Sequence, residues 1–446
     1  LAQHPVLLLA SCAATLPRLP SCRTAVALVH HCRAASAVAL PTLHHCRAAP
    51  CRARPTVCAA PASPPEEELM KSGDAAALVA GTAIGGGFLA LPAVTSQLGF
   101  LPSAVALIAT WAFLSATGIA FLEALSASRD ESGATASVAS LTEKAFGRQA
   151  AYVCSAAFGL QMLAVATAQV VKAGEILTAL YSQPYVVGCL CASALLGAFT
   201  FLSRTSLVER ANTILAAFLI GGFGLLVAMT PIPEPSLTLS RLAAADWPGL
   251  LPRAAGRAGG QTAWAVPIFL NLLCFGQAIP LVVMRSLPSA PRRVAADAND
   301  ADDAGLRATR RAVLLGSVVP LALSLAWAGV TCAAFSTGVG GATDPVLALI
   351  SSPAPGTAIA ARLLAAGAIG TTLIATYLTV NQFAVDCFCT LKGGCSIDEQ
   401  RNAKLATVAL PALLACGGPG LYLPLLAFAG AGPTTLLFGL VPPLAA

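Results

Sequence analysis

The sequence predicts an all-α polytopic membrane protein built as two inverted repeats of five helices. Three observations predict it. The 446 residues are 57% hydrophobic and only 10% charged, with a mean hydropathy of +0.77. Ten apolar runs of about the length that crosses a bilayer follow residue 70. The first and the sixth of these runs, five apart, are broken in mid-run by glycine and proline.

A soluble domain carries roughly 25% charged residues, and a fold of this size has too little polar surface to cover so much apolar chain. Lipid is the implied solvent. The net charge of +6 does not indicate nucleic acid, because six of the 26 basic residues lie near the N-terminus and most others in short loops. All five histidines (His4, His30, His31, His44 and His45) also lie there. The membrane region therefore offers no His-based metal site, no Ser-His-Asp triad and no His proton relay. Six of the fifteen cysteines fall in the first 58 residues and the rest are scattered, mostly in apolar runs where a thiol acts as a small hydrophobe.

Residues 1–70 differ in kind from the remainder. They are rich in Ala, Arg, Pro, Cys and Ser, hold no acidic residue before Glu66, and nearly repeat themselves in AVALVHHCRAA and AVALPTLHHCRAA. Basic, acid-free, small-residue N-termini are the composition of organelle transit peptides, and a plastid membrane is the expected destination. The other reading is low-complexity or mis-assigned coding sequence. The printed chain begins with Leu1, so its true start is not in view.

The transporter domain is expected over 71–446. Its spans are placed at 75–94, 101–122, 150–180, 185–202 and 208–230 in repeat one (75–230). Repeat two (262–443) holds 262–284, 312–335, 363–385, 403–418 and 421–443. Backbone in hydrocarbon must bond to itself, so each is a helix, and none alternates as a barrel strand would. With the body's N-terminus inside, the inner loops hold 15 Lys and Arg and the outer loops four (Arg241, Arg253, Arg257 and Arg362), which predicts N-in, C-in topology. The loop 286–311 contains the polar run ADANDADDAG and reads as a disordered insertion.

The first span carries Gly81, then Gly85, Gly86 and Gly87 in a row, then Pro92. In a helix Gly costs about 1 kcal/mol and Pro about 3 kcal/mol against Ala. A break of this kind is tolerated at membrane depth only where freed backbone meets protein, water or ligand. In the sixth span Phe275-Gly276-Gln277 lies between Pro267 and Pro280, with Asn271 nearby. Interrupted helices at matching positions of two halves point to an inverted-repeat transporter, since an odd number of spans per repeat turns the second copy over. Glycine serving close helix packing is the competing explanation. Trp111 and Trp327, at similar depths of spans 2 and 7, hint at the same symmetry.

These residues resemble a known family. GTAIGGGFLALPAVTSQLGFLPSAVALIATW at 81–111 is similar to the opening of the aromatic and hydroxy amino acid permeases, the tyrosine and tryptophan transporter family, and in particular its plant and algal plastid members. VKAGEIL at 171–177, PIFLNLLCFGQAIPLVV in span 6, RRAVLLGSVVPLALSLAWAGV at 310–330, DPVLALI at 344–350 and FAGAGPTTLLFGLVPPLAA at 428–446 continue the likeness. It covers about 75–446. The loop before span 7 is longer than the family's, and the sequence ends where the family has an eleventh helix, as a truncated gene model would. The resemblance implies a leucine-transporter-type five-plus-five fold in the amino acid–polyamine–organocation superfamily. It also implies secondary active transport of tyrosine, tryptophan or a related amino acid, usually coupled to protons.

A zwitterion stripped of water needs donors for its carboxylate and acceptors for its ammonium, and the ends of a broken helix offer both. Backbone N–H groups of Gly85, Gly86 and Gly87 are assigned to the carboxylate, with Thr82 nearby. The backbone of Phe275, Gly276 and Gln277 is assigned to the amine and side chain, and Phe275 is a candidate for stacking on an aromatic substrate or for ordinary packing. Lys172 and Glu175 share one helix face and fit either a structural ion pair or a coupling and gating role. Lys172 lies near enough to the outer end of its helix to snorkel part-way out. Glu123, near the inner end of span 2, is an interfacial residue or a proton carrier.

Thr371 and Thr372 in span 8, with Thr376 one turn on, either meet span 1 around an ion or bond their own helix. The coupling ion is thus a proton by resemblance, with sodium open. Cys387, Cys389 and Cys395 form C-x-C-x5-C, but with no histidine nearby no metal site and no cofactor is expected. A membrane enzyme is disfavoured because no phosphate loop, G-x-S-x-G or H-E-x-x-H is present. A channel, a nutrient sensor of transporter fold and a carrier of another small solute remain as alternatives.

Overall fold

The computed structural model describes residues 70–128, 137–230, 234–247, 265–287, 298–334, 344–392 and 397–445, with the side chains of 298–303 and 386–397 outside that description. The N-terminal segment 1–69 and the cysteines of the C-x-C-x5-C run therefore lie outside what can be described.

Helices stand at all ten predicted positions. Span 1 is Ser72–Ala83 followed by Gly86–Leu98, two arms bent by 48°. Span 2 is Phe100–Ala127, span 3 Arg148–Tyr181, span 4 Tyr185–Leu202 and span 5 Thr205–Met229. Span 6 runs over Ala265–Ser286, span 7 Ala298–Ala334, span 8 Pro355–Lys392, span 9 Ile397–Ala415 and span 10 Pro419–Ala445. Eight helices among the described residues are long and apolar enough to cross a membrane, and the bent first span makes nine. Span 9 falls short on composition because Asp398, Glu399, Arg401 and Lys404 occupy its first turns. The chain is a multi-pass membrane protein.

One expectation is corrected. The polar stretch read as a disordered insertion is helical from Ala298 onward, extending span 7 by several turns before its apolar part. Its alanines favour helix.

Packing divides the spans into two groups that mirror each other. Spans 1, 2, 6 and 7 contact one another, as do spans 3, 4, 8 and 9. Span 5 lies along span 8, and its repeat partner, span 10, lies along span 3, the repeat partner of span 8. This is the leucine-transporter-type arrangement, with helices 1 and 6 broken. Glycine gives span 5 its close approach: a β-carbon at Gly222 would lie 2.6 Å from the Leu364 nitrogen, and one at Gly367 2.5 Å from the Leu219 nitrogen. At these positions the packing account of glycine holds.

The two tryptophans do not extend the symmetry to side chains. Trp111 donates to Ser317 of span 7 (3.1 Å), whereas Trp327 donates to the Phe88 carbonyl of span 1 (3.2 Å). Short helices in the connections lie on the side that loop charge assigns to the outside. Pro235–Ala243 brings Arg241 to the Ala333 and Ala334 carbonyls (2.9 and 3.0 Å), where a cation offsets the negative end of span 7. Pro345–Ile350 is capped by Asp344, whose Oδ1 accepts from the Val346 N–H at 2.8 Å.

Candidate functional site

Span 1 stops being a helix at Ala83 because the next residues have little that holds one. Ile84 and Gly85 are extended, a single 3₁₀ turn covers Gly86–Leu89, and the second arm begins at Leu91 with Pro92 in its first turn, where a missing N–H costs nothing. The freed backbone is partly claimed. The Gly86 N–H donates to Thr372 Oγ1 of span 8 (2.7 Å), and the Gly86 carbonyl accepts from the Tyr422 hydroxyl of span 10 (3.0 Å). The N–H groups of Gly85 and Gly87 meet no acceptor among the described residues. Phe88 is clamped by Trp327 and Phe223, with ring centroids 6.0 and 5.3 Å away.

Span 6 breaks beside it. Its first arm ends at Leu272, Cys274 and Phe275 follow, a 3₁₀ turn covers Gly276–Ala278, and the second arm begins at Ile279 ahead of Pro280. The two breaks adjoin: a β-carbon at Gly87 would touch Leu272 Cδ1 at 3.4 Å. Of the residues assigned to this break, Phe275 is buried with its ring 2.8 Å from where a Gly118 β-carbon would stand, so it packs between spans 2 and 6. Gly276 is covered by the Phe438 ring, and Gln277 has an exposed side chain.

Phe438 belongs to Gly430–Leu440, a stretch of π-helix in span 10 around Pro433. The wider turns let the chain pass a residue with no N–H, and Thr435 Oγ1 donates to the Gly430 carbonyl at 2.8 Å. This segment packs against span 6 and span 3 and so completes the wall facing the two breaks.

Span 3 supplies a polar stripe to the same wall. At 100° per residue, Gln161, Gln169, Lys172 and Glu175 fall within about a third of the helix circumference. Gln161 Nε2 donates to Thr434 Oγ1 of the π segment (2.8 Å). Lys172 is fully buried; its ammonium bonds Glu175 at 2.9 Å, bonds Asp344 of the loop before span 8, and lies 4.9 Å from the centre of the Tyr422 ring. Lys172 therefore does not snorkel outward, as its distance from the helix end had suggested. Two carboxylates and a ring draw it inward, and a fully buried ammonium needs that compensation.

The remaining assigned residues divide. Thr372 reaches span 1, though it takes a backbone N–H there rather than facing a carbonyl across an ion. Thr371 bonds its own helix, to the Gly367 carbonyl at 2.8 Å, and Thr376 does likewise to the Thr372 carbonyl at 2.5 Å. Thr82 is exposed and bonds back to the Val79 carbonyl (2.9 Å). Glu123 pairs with Arg310 at 2.9 Å across the inner ends of spans 2 and 7, far from this wall in sequence and half exposed.

Sequence reasoning missed Gln161, Gln169, Asp344 and Tyr422. Signals existed for two of them: Asp before Pro345 is a helix-start pattern, and an amide three residues before Lys172 continues the charged face of span 3. Nothing local marked Tyr422, whose partners lie 336 and 250 residues away in the chain.

Comparison with known proteins bears on this geometry. Residues 70–283 match the pattern of the tryptophan/tyrosine permease family. Tyrosine-specific transport system 1 of Haemophilus influenzae is 23% identical over 252 residues, 56% of this chain and 54% of that one, so the match spans about half the relative's length. Among solved structures, a mutant of the Eremococcus coleocola manganese transporter superposes with a TM-score of 0.53 at 15% identity, covering 83% of this chain and 77% of that one. The same transporter in complex with an aromatic bis-isothiourea substituted compound gives a TM-score of 0.52 at 14% identity over the same shares. At such identities the likeness is one of fold.

Proposed function

We propose that this chain, whose residues 70–283 match the tryptophan/tyrosine permease family, is a secondary active transporter of amino acids, most specifically tyrosine or tryptophan, working by alternating access. The observation that carries the reading is the pair of adjoining breaks in spans 1 and 6. They bring the glycine turn of span 1, through Gly87, beside the end of the first arm of span 6, and on this reading the broken ends supply the backbone donors and acceptors a dehydrated zwitterion requires. The name of the Haemophilus relative supports tyrosine as the substrate. On this reading the chain is a carrier and not an enzyme, and its domain runs over 71–446.

Coupling to protons is the favoured form. Thr371 spends its hydroxyl on its own helix and Thr372 receives the Gly86 N–H, so the arrangement does not favour sodium held between span 8 hydroxyls and span 1 carbonyls. The Lys172–Glu175–Asp344 cluster joins the loop ahead of span 8 to span 3 on the outer side, and through Tyr422 it touches the span 1 break. We assign it the role of a latch holding the outer path closed. Protonation of either carboxylate releases one hold on Lys172. The composition of 1–70 supports import into a plastid, whose membrane would then hold the carrier.

Purified full-length protein in proteoliposomes, assayed for counterflow of the twenty labelled amino acids with and without pH or sodium gradients, tests the proposal. Saturable exchange of tyrosine or tryptophan, with accumulation driven by a pH gradient, is the expected result. Unsaturable flux makes it a channel, and binding without flux a sensor.

A further inference from the structure

Gln169 is a polar side chain for which neither the fold nor the latch gives a use. It is fully buried in the middle of span 3, and neither its Oε1 nor its Nε2 has a hydrogen-bond partner. Buried amides in native proteins are almost always paired, so an amide with both ends free is explained best by a partner that comes and goes. Gln161, two turns away on the same stripe, gives its Nε2 to Thr434 and leaves only Oε1 over.

The place of the amide is specific. A β-carbon on Gly86 would stand 2.1 Å from Gln169 Oε1, 2.2 Å from Cδ and 2.3 Å from Nε2, so the amide fills the space that the glycine leaves open at the span 1 break. The Gly86 peptide groups are already engaged by Thr372 and Tyr422. Within this break the unpaired groups are the N–H groups of Gly85 and Gly87, the carbonyls at the end of the first arm, and the Gln169 amide, a side chain that is both donor and acceptor. A zwitterion needs acceptors for its ammonium as well as donors for its carboxylate. Gln169 adds to these backbone groups a side chain that can serve both ends of the zwitterion.

Charge argues the same way. Lys172, one turn along the stripe, is matched by Glu175 and Asp344 and is not free for a substrate carboxylate. A carrier must also return empty, and an ionised binding group would then be left buried without a counter-charge. A neutral amide reads both ends of a zwitterion and leaves no charge behind when the site empties.

Resting on the transporter reading above, we infer that Gln169 is a specificity-determining residue that binds the α-amino acid head group, its carbonyl accepting from the ammonium and its NH₂ donating to the carboxylate. The ligand class is free α-amino acids with both charged groups present.

The test uses full-length protein in proteoliposomes and the amino acid that wild type exchanges fastest. Its decarboxylated amine and its deaminated acid are competitors (for tyrosine, tyramine and 3-(4-hydroxyphenyl)propanoate). Wild type is expected to prefer the zwitterion over either analogue by about tenfold or more, the scale of one charge-assisted hydrogen bond. Gln169→Met, of similar length without hydrogen bonding, should raise KM by about tenfold and largely erase that preference. Gln169→Glu should shift the preference toward the amine, a gain that a merely structural role does not produce. If both variants fold and keep the wild-type order of preference, the inference is overturned and the transporter reading stands. If Gln169→Met fails to fold, the order measured in Gln169→Glu decides alone. If wild type exchanges no amino acid, both readings fall together.

Discussion

Neutralising both carboxylates around Lys172 measures what holds the outer latch. Lys172 is 0% exposed, whereas Glu175 and Asp344 are 14% and 20% exposed, so the cation has lost its water and the acids retain a little. Its three N–H donors are spent on the two acids and the face of Tyr422. In Glu175→Gln or Asp344→Asn one carboxylate remains, and a cost of about 1–3 kcal/mol is expected. In the double variant the ammonium is buried with no counter-charge, which costs about 3–5 kcal/mol. The slight exposure of the acids places the value toward the lower end.

For a chain of this length 1 kcal/mol moves Tm by about 1 °C, so the double variant should melt on the order of 3–5 °C below wild type. Adding Lys172→Met removes the orphaned charge and should restore most of the loss. Thermal unfolding in detergent, followed by loss of the monodisperse peak, measures all four. The singles and the double also form a cycle whose coupling should not be zero. A double variant that melts with wild type would mean that the ammonium is not held by these acids, and the latch would have to be given up. In transport, Glu175→Gln should weaken pH-driven accumulation more than exchange; equal effects would make the residue structural.

Three further outcomes follow from the span 1 break and from the Glu123–Arg310 pair. Thr372→Val strips the Gly86 N–H of its acceptor and should cost about 1–3 kcal/mol and most of the transport, whereas Thr371→Val, losing a bond within its own helix, should cost under about 1 kcal/mol; melting and uptake on the same two proteins compare them. Gly86→Leu places a side chain where the Gln169 amide stands and should abolish uptake while the protein still reaches the membrane, and normal uptake by that variant would remove the glycine turn from the site. Glu123→Gln breaks a half-exposed pair with Arg310, worth about 1 kcal/mol or less, and should leave proton-driven accumulation unchanged, as counterflow and pH-jump uptake would show.

The positions of the spans were legible in the sequence because lipid imposes one rule on all of them: each run must be apolar and helical over the thickness of the hydrocarbon. Both breaks were legible for the converse reason, since Gly85–Gly87 and Phe275–Gln277 between prolines cannot be good helix, and such a defect stands out against apolar surroundings. The pairing of Lys172 with Glu175 was readable because a spacing of three residues brings two side chains onto one face. The polar run before span 7 was misread because its charges suggested disorder, while its alanines also suit a helix extending beyond the apolar segment.

What chain composition and local spacing determined, then, is the number of helices, where two of them fail, and which charges share a face. Which hydroxyl of Thr371 and Thr372 reaches span 1, that Asp344 and Tyr422 complete the cage around Lys172, and that Gln169 confronts Gly86 were decided only by tertiary structure. Those contacts join residues from 83 to 336 positions apart, and they depend on the rotation of each helix about its own axis. In a helix that is apolar on every side no hydrophobic face fixes that rotation, so packing against neighbouring spans must.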